Sequence, residues 1–224
     1  MKKERLTAFA SIFILLAFAL ILIFPQSREI FKTASGTHPF IMGFIKFALM
    51  ATVGEIIALR ISKKAWNIPS FVGLRALIWG LIGIAITFMM KTYAGGVSVL
   101  TSQNSVTGAS PLLFAGENGT LLNKFLTAFY TSAIMNLTFG PTFMAFHKCT
   151  DKCLELKAQG KPHKALDAVS AVEWKGFVGF TLFKTIPIFW IPAHTITFML
   201  PAEYQVIMAA ALSVALGIIL SLKK

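Results

Sequence analysis

LTAFASIFILLAFALILIF, residues 6–24, is nineteen residues without a charge. As a helix rising 1.5 Å per residue it is about 28 Å long, close to the thickness of a bilayer's hydrocarbon core. Further apolar runs near residues 39–59, 71–90, 125–146, 176–200 and 202–220 are each long enough to span. The chain is 56% hydrophobic over 224 residues, with a mean hydropathy of +0.72. That is more apolar surface than a water-soluble chain of this length can cover. The expected fold is an all-α, polytopic membrane helical bundle with six transmembrane helices. Residues 1–5 followed by the first run have the outline of a secretory signal, but nothing like Ala-x-Ala follows Phe24. The run is therefore read as an uncleaved helix.

The formal charge of +12 would suggest nucleic acid in a soluble protein, yet Lys and Arg fall between the apolar runs rather than in one patch with interleaved aromatics. No nucleic-acid partner is expected. The charge reads as topology. One set of segments carries Lys2, Lys3 and Arg5, then Arg60, Lys63 and Lys64, then Lys148, Lys152, Lys157, Lys161, Lys164 and Lys175, then Lys223 and Lys224. The alternate set carries Arg28 and Lys32, then Lys91 and Lys124, and none around residues 201–205. The positive-inside rule then puts both termini inside, in a multi-pass protein of the cell (inner) membrane, with an organellar membrane as the alternative.

Cys149 and Cys153 fall on an inner segment, where thiols stay reduced. Their spacing beside His147 and Asp151 could place four ligands on one helical face, but a basic segment repels cations, and no metal or cofactor is expected. Asn118 and Asn136 head glycosylation triplets, the second inside a span; both read as chance. Residues 92–121 are rich in Gly, Ser, Thr and Asn around an apolar island at residues 111–115, and read as a solvated loop or a re-entrant segment. In residues 148–175, Leu166, Val169 and Val172 recur every third residue ahead of Trp174. This is either a short amphipathic helix at the headgroups or a solvated basic loop.

Four charges lie within spans: Lys46, Glu55, Arg75 and Lys184. Each costs roughly 2.5–3.5 kcal/mol at a helix centre unless it meets a partner or water. Glu55 is five residues from Arg60, and Arg75 is about as deep in the next span; both lie about 7 Å inside the inner boundary. The short connection at residues 61–70 makes the two helices neighbours, so a Glu55–Arg75 ion pair is expected, with snorkelling of Arg75 as the alternative. Lys46 and Lys184 are deeper, and no intramembrane acid remains for them. Either a water-filled path favouring anions or carbonyls freed at prolines would accommodate them.

Those prolines lie in KTIPIFWIPAHTITFMLP, residues 184–201. Pro187 and Pro192 each remove an intrahelical hydrogen bond, and Pro201 marks the turn into the last span. His194, Thr195 and Thr197 follow the break, and broken helices with polar groups are where transporters and channels place sites. Lys46, Lys184, His194 and Thr197 are the candidate solute-lining residues. Gly73, Gly80 and Gly83, and Ala211, Ser213, Ala215 and Gly217, are small residues suited to close helix approach. No HExxH, P-loop, GxGxxG after a strand or Ser/His/Asp frame is present, so no catalytic residues are assigned.

Residues 38–224 resemble the Mpv-seventeen/PMP-twenty-two family of small peroxisomal and mitochondrial membrane proteins. The resemblance is carried by His38-Pro39 and Gly54-Glu55, Arg75 in GLRALIWG, and Gly140-Pro141 in FGPTFMAF. It continues through Trp190-Ile-Pro192, Thr197-Phe198, Leu200-Pro201, Tyr204-Gln205 and Leu220-Ser221-Leu222-Lys223. Glu stands for the family's Asp at 55, Ile191 interrupts its Trp-Pro, Thr197 replaces Asn and Gln205 replaces Arg. Residues 1–37 have no counterpart and are set apart as an extra membrane helix and linker before the family-like bundle of residues 38–224. The resemblance implies a distant bacterial member of a family with four membrane helices that is proposed to form small-solute channels. The expected function is a pore or facilitator for small, perhaps anionic, solutes; a secondary transporter and a lipid-binding or structural membrane protein are the alternatives. Expected partners are membrane lipids and a small solute, with homo-oligomerisation left open.

Overall fold

The computed structural model describes residues 2–102, 113–114 and 119–222, and contains helices but no strand among them. The helices are α1 (Lys2–Ile23), α2 (Pro25–Thr37), α3 (Pro39–Lys63), α4 (Val72–Thr101), α5 (Leu121–Ala158), α6 (Ala165–Ala171) and α7 (Trp174–Gly176). A π-helix (Phe177–Trp190) follows, continuous with α8 (Ile191–Met199), and α9 (Ala202–Leu222) ends the chain. Local chemistry sets these boundaries. Pro25 and Pro39 disfavour helix in Phe24 and His38 and then open α2 and α3 from their first turns. Thr120 Oγ1 accepts the Asn123 N–H at 3.1 Å to start α5, and Gly160, at φ 67°, lies just past its end.

Among the described residues five helices are long and apolar enough to cross a membrane: Glu4–Ile23, Pro39–Lys63, Val72–Thr101, the continuous Trp174–Met199, and Ala202–Ile219. The sixth expected span, residues 125–146, lies within α5, which is not among the five. Thr127, Thr131, Ser132, Asn136 and Thr138 lower its apolarity. Exposure follows what a hydrocarbon solvent selects. In α1 the buried side chains are Thr7 and Ser11, while Leu6, Phe9, Phe13 and Ile23 are exposed.

The chain divides into two compact units, Met1–Phe88 with Ala202–Lys224, and Met89–Pro201. In the first, α3 is central and packs most extensively on α9. Gly54 permits this approach, since a Cβ there would lie 3.1 Å from Val214 Cγ2. A Cβ on Gly83 of α4 would collide with the Gly43 carbonyl oxygen of α3 and lie 2.7 Å from Phe47 Cβ. Residues 1–37 pack within this unit: α2, read from sequence as a linker, buries Phe31 and Ser35 and touches α3 and α9. On its exposed side Lys32 Nζ donates to Glu29 at 3.0 Å, a bond that raises the lysine's pKa.

In the second unit α5 packs mainly on α8, and also on α6 and the π-helix. Two sequence expectations change here. Residues 92–101 continue α4 instead of opening a loop, because Gly95 and Gly96 are tolerated inside a helix that the apolar run prolongs. Pro187 does not end its helix, because the surrounding ladder is of the i→i+5 kind and Pro187 sits inside it. Most of the island at residues 111–115, and Asn118, lie outside the described residues.

Candidate functional site

The second unit buries a polar cluster where α5 faces the junction of the π-helix and α8. Ser132 Oγ of α5 donates to the Ile191 carbonyl at 2.7 Å, and Thr195 Oγ1 donates to the same oxygen at 2.7 Å. One turn further along α5, Asn136 Nδ2 donates to the Ser132 carbonyl at 2.8 Å and lies 3.1 Å from His194 Nδ1. The alternative bond, from His194 Nδ1 to Asn136 Oδ1, is longer at 3.3 Å. Which of the two bonds forms is set by the tautomer of the ring: Nδ1 accepts from the amide when the ring proton is on Nε2, and donates to Oδ1 when it is on Nδ1. Trp190 stacks on His194, with centroids 5.1 Å apart and planes 30° from parallel.

Ser132, Asn136 and Trp190 are buried, and His194 is partly so. Trp190 is 8% exposed, and its Nε1–H has no hydrogen-bond partner among the described residues. Leaving such a donor unmet costs roughly 1–3 kcal/mol. An acceptor oxygen that reached this donor would remove that cost.

The structure separates the four residues read as solute-lining. His194 belongs to the cluster. Thr197 is fully buried one turn on, but its Oγ1 donates back to the Ala193 carbonyl at 2.9 Å. Pro192 lies where the π-helix passes into α8 and supplies no N–H to that continuous helix, and Pro201 separates α8 from α9. Lys184 is exposed on the π-helix, on the side that shows Phe183 and Ile188.

Lys46 lies in the first unit and is 2% exposed. Its ammonium donates to Ser35 Oγ at 2.8 Å and to the Glu203 carbonyl at 3.4 Å. It also lies 4.3 Å from the centroid of the Phe31 ring, which stacks on Tyr204. A hydroxyl, a carbonyl and an aromatic face thus stabilise this charge where no carboxylate does. In the same unit Arg75 Nη1 is 3.4 Å from Glu55 Oε2, and Glu55 Oε1 accepts the Trp79 indole N–H at 2.8 Å. On α5, His147 Nε2 is 3.4 Å from Asp151 Oδ2, and Cys153 Sγ donates to the His163 carbonyl at 2.9 Å.

Ser132, Asn136 and Trp190 were not assigned a site role from sequence. Their signal was the four-residue spacing of Ser132 and Asn136 inside an otherwise apolar run, which places both on one helix face. Nothing matches this chain among protein-family models, curated proteins or solved structures.

Proposed function

We propose that the chain is a multi-pass protein of the cell inner membrane that passes a small solute bearing acceptor oxygens, anions included, by way of the Asn136–His194–Trp190 cluster. The observation that carries this reading is the buried Trp190 N–H without a protein acceptor among the described residues, on a ring stacked against His194. A buried donor left over in a largely apolar surround is the kind of polar group that fixes a small molecule's orientation. The resemblance of residues 38–224 to the Mpv-seventeen/PMP-twenty-two family supports a channel-like role.

In this reading α5 is the sixth span and both termini are inside. Its polar residues support that assignment because Thr131, Ser132 and Asn136 are buried within the unit and none of them needs to meet lipid. A secondary transporter would use the same cluster, and the π-helix leading into it favours that variant, since irregular helices commonly adjoin transporter sites.

Reconstitution into proteoliposomes tests the proposal. Efflux of small anions, neutral polyols and cations is compared with that of protein-free vesicles, for the parent and for His194→Ala. The parent should release anions and polyols faster than empty vesicles, and His194→Ala should lose most of the difference. Equal efflux from parent and empty vesicles for every solute would refute it. Unitary currents in a planar bilayer would identify a pore, and counterflow without currents a carrier.

A further inference from the structure

Lys184 poses a problem that the polar cluster does not solve. It is exposed within the span Trp174–Met199, on a side that also shows Phe183, 73% exposed, and Ile188, 75% exposed. An ammonium among lipid-facing side chains needs an anion, because a bare charge in hydrocarbon is costly. The protein offers none nearby in sequence: residues 174–202 contain no Asp or Glu. Glu173, just before the span, already accepts the Gly176 N–H at 2.6 Å.

The local geometry points Lys184 toward one leaflet. An i→i+5 ladder brings residues four and five apart onto one side, and Lys175, Gly179, Lys184 and Ile188 follow that spacing and are all exposed. Lys184 is nine residues past Lys175, roughly 13 Å at α-helical rise, and the wider π turn brings it closer. Helical side chains tilt toward the helix N-terminus, so the Lys184 stem leans toward Lys175. Between them a Cβ on Gly179 would meet nothing within 4 Å, leaving a bare notch. Trp174 marks the boundary. Its indole is exposed, donates to the Val169 carbonyl at 2.9 Å and meets the Phe177 ring edge-on, as an interfacial anchor does.

We infer that this side of residues 174–188 seats an anionic phospholipid of the inner leaflet. Its phosphate is held between Lys175 and Lys184 over Gly179, and its acyl chains lie along Phe183 and Ile188. Two lysines and no acid supply the charge complementarity, and the exposed apolar side chains beyond them supply the match to acyl chains. The inference rests on the proposed topology, which puts the Lys175 end inside, and on this helix facing lipid; it stands apart from the solute site.

The test is native mass spectrometry of the full chain in non-ionic detergent with equimolar phosphatidylglycerol and phosphatidylcholine of identical acyl chains. The parent should retain phosphatidylglycerol in preference. At roughly fivefold per lysine, Lys175→Gln with Lys184→Gln should reduce that preference about twenty-five-fold. Lys184→Arg should keep it. Lys63→Gln with Lys64→Gln, the same loss of charge at exposed lysines of the other unit, should leave it unchanged. An unchanged preference in the first double variant, or an equal loss in the second, would overturn the proposal. Displacement of the lipid by millimolar inorganic phosphate would show a free-anion site instead, and loss of a dimer peak in Lys184→Gln would show a second copy as the occupant. Either result also overturns it.

Discussion

Replacing Glu55 by Gln should cost about 2 kcal/mol of stability, and removing Arg75 as well should cost little more. Glu55 faces two donors, Arg75 Nη1 at 3.4 Å and Trp79 Nε1 at 2.8 Å, and the two charged side chains are only 20% and 15% exposed. Breaking one partner of a fully buried pair costs roughly 3–5 kcal/mol, while an exposed pair contributes about 0.2–1 kcal/mol. This pair lies between those limits. Gln keeps an oxygen for Trp79, and Arg75 keeps its Nε bond to the Ser70 carbonyl at 3.1 Å, so the loss falls below the buried range. At roughly 2–4 °C per kcal/mol for a chain of this size, Glu55→Gln should lower the midpoint by about 4–8 °C in a detergent thermal-shift assay. The double variant with Arg75→Gln should fall close to the worse single variant, leaving a coupling energy of at least about 1 kcal/mol. Strictly additive losses would mean that the two charges do not stabilise each other, and the reasoning would fail.

Two other expectations are simpler to state. Gly83→Ala should destabilise by roughly 1–3 kcal/mol in the same assay, because its Cβ would meet the Gly43 backbone. Gly73→Ala, where nothing lies within 4 Å, should be neutral or slightly stabilising; the reverse order would contradict the α3–α4 packing. In a background with Cys149 and Cys153 changed to Ser, impermeant maleimide on intact cells should label Ser105→Cys and spare Lys157→Cys. Labelling of Lys157→Cys from outside would break the six-span topology.

The elements most legible in the sequence were those whose apolar length decides everything: α1 follows from an uncharged run, and α3 and α9 from long apolar runs that isolated charges do not break. The approach of Glu55 and Arg75 was legible too, because a ten-residue connection forces neighbouring helices and equal depth. What could not be read was which face of an apolar helix turns inward. Depth along the axis is fixed by counting residues, but a helix that is apolar all round carries no stripe to fix its rotation. Lys46 and Lys184 looked alike for that reason, yet one is sealed by Ser35 and Phe31 and the other is exposed. The partners of Lys46 come from α2, whose burial depends on packing that a short polar segment does not announce. The i→i+5 ladder was also hidden, since Pro187 signals an interruption without specifying how the backbone absorbs it.

The measurement that tests the solute site most directly is the efflux rate of proteoliposomes carrying Trp190→Phe, read beside the thermal midpoint of the same preparation. Phe keeps an aromatic ring to stack on His194 and deletes a buried N–H that finds no protein acceptor among the described residues. Deleting an unmet donor should leave stability unchanged or raise it. If that donor serves the solute, anion and polyol efflux should fall about tenfold while the midpoint holds or rises. An efflux rate equal to the parent's, in a variant at least as stable, would contradict the account.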